Sequence, residues 1–140
     1  MSVLASRHLG FEPAIKALKT AFEALPELAS FSISDRPPNR RSLPNLRIGP
    51  VQQEPWSTNS SVGAKLDISL TLTSRDGSFA ALGHASDAIL ERIAGPDLQL
   101  SEGACVVQTA SAVRFDHGSG QNLELAILTI TLFLDLGDAA

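Results

Sequence analysis

Within residues 64–93, AKLDISLTLTSRDGSFAALGHASDAILERI, the spacing of apolar residues changes once. That switch constrains the fold more than any other feature of the chain. Leu66, Ile68, Leu70 and Leu72 alternate with Lys65, Asp67, Ser69, Thr71 and Thr73. A period of two puts the four apolar side chains on one face of an extended strand and the polar ones on the other. After Ser74-Arg75-Asp76-Gly77, Phe79, Leu82, Ala85, Ile89 and Ile93 recur every three or four residues, the stripe of a helix. Gly95-Pro96 predicts its end, with Gly suited to a left-handed cap and Pro unable to continue. A one-sided strand followed by a one-sided helix must bring the two apolar faces together, so the rest of the chain is expected to complete a strand–helix layer.

Other segments supply the partners. Phe11, Ile15, Leu18, Phe22 and Leu25 form a second helical stripe, with Pro13 at an early helical position and Pro26 stopping the helix. Phe31 and Ile33 suit a scrap of strand, and Leu46-Arg47-Ile48 a short strand, among Pro37, Pro38, Pro44, Pro50 and Pro55. Residues 105–115 and 123–134 read as long strands joined by the hairpin turn DHGSGQN. In the last strand the apolar set moves from odd positions (Leu123, Leu125, Ile127) to even ones (Leu128, Ile130, Leu132, Leu134); either a bulge near Ile127-Leu128 keeps one face inward, the preferred reading, or both faces are covered there. That strand is long, apolar and poor in charge, so unless it lies centrally it invites a neighbour. Self-association is therefore expected, and a head-to-tail contact of suitable rotation would close a ring. The sum is one α+β domain over residues 1–140: a mainly antiparallel four-stranded sheet with two helices packed on one face. Residues 1–10 are expected to be a loose arm, 35–63 a long Pro- and Arg-containing loop region, and 136–140 a frayed tail.

The chemistry the chain could host is limited. A formal charge of −4 speaks against a general nucleic-acid binder. A single cysteine, Cys105, excludes an internal disulfide framework and suits a reducing cytoplasm. No apolar run is long enough for a membrane helix, and MSVLASRHLGFEP has no secretion-like pattern. His8, His84 and His117 are scattered, with only Asp87 at helical spacing from His84, so neither a metal site nor a catalytic set is expected. Asp67 and Glu124 could face one another across strands, but a solvated polar face accounts for both. Gly118 and Gly120 sit in a hairpin rather than between strand and helix, so they make no phosphate loop. No cofactor is expected. Arg36, Arg40, Arg41 and Arg47 form a basic cluster, with no acid between Asp35 and Glu54. It reads either as a solvated loop or as a surface for an acidic protein or passing nucleic acid. Trp56, alone in a loop, reads as a packed lid.

In layout the chain resembles the tail terminator (tail-completion, head–tail joining) proteins of long-tailed phages and phage-like gene transfer agents. The likeness rests on AIKALKTAFEALPELA as opening helix, LPNLRIGP as short strand, KLDISLTLTSRDGSFAALGHASDAILERI as strand and second helix, and VVQTASAVRFDHGSGQNLELAILTITLFLD as closing hairpin. It covers about Phe11 to Asp135. The chain departs from the family pattern at Asn45, where members often carry an aromatic residue, and in the arginines from Arg36 to Arg41. The resemblance implies a non-catalytic virion protein that forms a hexameric ring on the last ring of the tail tube. Such a ring stops tube growth and offers a surface to the head connector, while DNA passes through its lumen without specific binding. The implied partners are further copies of the chain, the tail tube protein and the connector, met first in the cytoplasm of the producing bacterium and then in the particle. As interface residues the reading takes Arg36, Arg40 and Arg41 on the long loop, Trp56 beside it, and Asp116, His117 and Gln121 at the hairpin tip. Two alternatives stand beside it: a connector or stopper ring of the neck, and a small cytoplasmic α+β enzyme or ligand-binding domain, which would need a deep pocket with converging polar groups.

Overall fold

The structure is a computed structural model that describes residues 3–36, 43–56, 61–75, 79–118 and 123–138, with the backbone alone described for 3–11, 61 and 138. Its elements in chain order are α1 (Val3–Glu23), β1 (Ser32–Ser34), β2 (Asn45–Pro55), β3 (Ser61–Ser74), α2 (Ala80–Ala94), β4 (Ala104–Ala110), β5 (Arg114–His117) and β6 (Glu124–Asp138). The alternation in β3 organises the fold as its spacing predicts: Leu66, Ile68, Leu70 and Leu72 are fully buried. Opposite them, even-numbered residues of β6 from Ala126 to Leu134 face the same way and are buried too. Leu18 and Phe22 of α1 and Leu82, Ala85, Ile89 and Ile93 of α2 join them in one core. The fold is thus α+β, one domain, with both helices on one sheet face.

The sheet has six strands rather than the expected four; it is mainly antiparallel, as expected, with one parallel pair. Its order is β1-β2-β3-β6-β4, with β5 following β4 along the far side of β6. β1 pairs with β2 in parallel, Ser32↔Asn45 to Ser34↔Arg47. The segment 105–115 is split, because β4 leaves β6 after Ala110 and β5 resumes pairing at Arg114.

β2 is the largest departure inside the segment expected as loop. It runs through eleven residues against β3, from Asn45↔Thr73 to Pro55↔Ala64. The prolines read as breakers sit where a ladder tolerates them: Pro50 in the register shift between Ile48 and Val51, Pro55 at the strand end. Gly49, with φ at 133°, supplies the backbone the shift requires.

Regular elements reach into both segments expected as arm and tail. α1 reaches back to Val3, across most of the predicted arm, and leaves Pro13 inside the helix instead of in its first turn. β6 continues through Gly137 and Asp138, paired with Val62 and Ser61. α2 ends at Gly95 as predicted, but with φ −90° and not in the left-handed region; Gly95 N–H donates to the Arg92 carbonyl.

The expected bulge at Ile127-Leu128 is absent. Pairing of β6 with β3 is regular from Ser74↔Glu124 to Gly63↔Asp135 and shifts only between Val62 and Gly63. Leu125 and Ile127 are instead half-buried on the outer face, opposite Asp116 and Arg114 of β5. The apolar set changes position because both faces of β6 carry apolar residues near its start. β6 lies between β3 on one side and β4 and β5 on the other, so the strand expected to invite a neighbour already has two.

Candidate assembly surface

Pairing register fixes where the candidate residues lie. The end of β2 and the start of β3 meet the end of β6, so Trp56 belongs to one end of the sheet. The end of β3 meets the start of β6 and the end of β5, so Asp116 and His117 belong to the opposite end. Arg36, two residues past β1, is exposed on the β1 side and shares a shallow recess with Ile15, Lys19, Ile33 and Ile48. The described members of the sequence-derived set therefore lie apart, Trp56 at one end of the sheet, Asp116 and His117 at the other, and Arg36 at the β1 side. Arg40, Arg41 and Gln121 lie outside the described residues.

At the Trp56 end the outer face is aromatic. The indole meets Phe133 edge-on at 5.1 Å, and its backbone N–H donates to the Gly63 carbonyl at 3.0 Å. Gly63 is close-packed: an added Cβ would strike the carbonyl oxygen of Trp56 and come within 2.6 Å of that of Leu134. Lys65 Nζ stands 5.9 Å from the Phe133 ring and 3.9 Å from Asp67 Oδ2, and Thr131 Oγ1 donates to Asp67 Oδ1 at 2.7 Å. Trp56 is half-buried against this floor, in keeping with a packed lid. Asp67 therefore faces Thr131, not Glu124, which lies opposite Ser74 and is buried, with its Oε2 lacking a hydrogen-bond partner among the described residues.

At the other end three rings gather at the foot of α2. Phe79 meets Phe115 at 5.9 Å and His117 at 5.2 Å, both edge-on. Asp116 Oδ1 accepts from the backbone N–H of His117 at 2.8 Å, which leaves the carboxylate exposed but braced. Gly118 N–H donates to the Leu123 carbonyl at 2.8 Å and closes the hairpin.

Nothing in this geometry assembles a reaction centre among the described residues. No three His, Cys, Asp or Glu side chains converge as metal ligands. Burial, with help from the Asp97 carboxylate, pushes the Cys105 thiol up to about 11, so it stays protonated and a poor nucleophile at neutral pH. The recess between α1 and residues 98–101, about 420 Å³ and lined by Pro13, Lys16, Ala17, Arg92, Leu98 and Leu100 among others, opens to solvent and has no carboxylate, imidazole or thiol in its wall. No helix among them is long and apolar enough to cross a membrane.

One exposed feature has no counterpart among the sequence-derived candidates, the outer rim of β4 and β5. Val106, Val107 and Phe115 are its exposed large hydrophobics, at 51%, 42% and 44%. The signal lay in Gly103–Val113, which carries no charge.

The chain belongs to the family described as tail completion protein gp17, whose model matches residues 12–133. It is a structural, non-enzymatic protein of phage-type tails. A chain from a solved structure described as the virion of a native gene transfer agent (GTA) particle has the same fold, with a TM-score of 0.75 at 19% identity, covering 86% of this chain and 93% of that one. No curated protein sequence matches the chain.

Proposed function

We propose that copies of this chain form a closed ring at the head-proximal end of a phage-like tail tube, end the tube's growth and present the surface to which the head connector binds. Membership of the tail completion family carries this reading, and the likeness to a chain of a gene transfer agent virion supports it. The separation of the candidate groups suits it as well: a ring between tube and neck needs a contact surface on each side. The Trp56 end would meet one neighbour and the end with Asp116 and His117 the other, joined by Gln121 close by in sequence. Arg36, with Arg40 and Arg41 close by in sequence, would bear on an acidic partner. DNA would pass through the lumen without specific contact. Assembly would take place in the cytoplasm of the producing bacterium.

Purified chain added to polymerising tail tube protein tests this. Tubes should stop at short lengths with the chain at one end, seen by negative-stain microscopy. Tubes that grow unchecked would overturn the terminator reading and favour a connector bound only after the tube is complete. Reversing Arg36, Arg40 and Arg41 to Glu should weaken end binding; unchanged capping would remove that loop from the interface.

A further inference from the structure

The three exposed large hydrophobics among the described residues lie on one rim. β4 and β5 follow each other along β6, and no described strand lies beyond them. Such a rim offers a row of backbone donors and acceptors to any passing strand, and folded proteins ordinarily blunt it with charge. Here Gly103–Val113 has none. The extra residue at Val106 turns the first part of the rim, but from Val107↔Phe133 to Ala110↔Ile130 the ladder is regular. The uncharged stretch is flanked by Glu102 before β4 and Arg114 after it, both exposed and neither in an ion pair among the described residues, with Asp116 further along β5.

We propose that, outside the particle, this rim pairs with the same rim of a second copy, antiparallel about a two-fold axis at Gln108. In that register Val107 lies opposite Thr109, and Glu102 of each copy faces Arg114 of the other. The end charges are thus complementary to themselves, which identifies a second copy as the occupant. A parallel, in-register copy would set Glu102 against Glu102 and Arg114 against Arg114, and like charges directly opposite repel. Val107 and Thr109 both project outward, beside Phe133 and Thr131, so the pair continues one outer face across the axis. The Gln108 side chain is turned away from the axis, donating to the carbonyls of Ile93 and Pro96 at 2.9 Å each. A two-fold contact closes on itself, so this pair neither grows into a fibre nor forms a ring. It shields the uncharged rim until assembly begins, and it does not depend on the ring reading.

Sedimentation equilibrium of the full chain over a concentration series tests the pairing. Wild type should show a reversible monomer–dimer equilibrium. Glu102→Arg and Arg114→Glu should each weaken it about tenfold or more, because each turns both end contacts repulsive. The double reversal should restore it, and Val107→Glu should abolish it, with circular dichroism confirming that every variant is folded. A wild type that stays monomeric, a double reversal that fails to restore pairing, or assembly only into a larger ring would overturn the proposal; the last result would still support the ring.

Discussion

Gly63 and Cys105 show how single residues hold this chain in place. A methyl group at Gly63 meets two backbone carbonyls, those of Trp56 and Leu134, and backbone cannot rotate aside as a side chain would. Gly63→Ala should therefore cost about 3 kcal/mol or more, read from the urea midpoint, where an open strand glycine would gain from the same change. Cys105 gives a pH signature. Its thiol is raised from 9.0 to about 11, so the folded chain keeps the proton to higher pH than the unfolded chain. That contribution is fully present below the unfolded value and is lost as pH rises through the folded one. Stability of the wild type should fall between pH 9 and 11 more steeply than that of Cys105→Ala, and the native thiol should resist aromatic disulfide reagents at pH 8 until the chain is unfolded.

At the scale of elements, Gln108 ties α2 to the sheet. Its amide donates to the Ile93 and Pro96 carbonyls, and its Oε1 accepts from Leu98 N–H at 2.9 Å. Gln108→Ala leaves these groups without their partner and should lower stability by about 1–3 kcal/mol, measured by thermal unfolding. Which elements were legible in the sequence follows from how local their signals are. β3 and α2 have their whole apolar pattern within one segment, and they formed where the spacing put them. β2 did not declare itself, because its prolines resemble breakers until the partner strand shows one in a register shift and one at an end. The start of β6 misled for a related reason: Leu125 and Ile127 imitate a bulge when the outer face is assumed to be polar. Of the candidate residues, the hairpin turn was visible from its Gly, Asp and Asn content, whereas the apolar rim of β4 became visible only once that strand was seen to have a single neighbour.

For the whole molecule, the helices take the inner face of the sheet, and the aromatic and polar ends and the uncharged rim remain for contact. That distribution, together with the tail completion family, makes the central claim one about particle architecture. The most direct test is electron microscopy of particles from a producer lacking this chain. The ring reading predicts overlong tails detached from heads, because nothing ends the tube or joins it to the neck. Tails of normal length in that producer, whether attached or not, would contradict it.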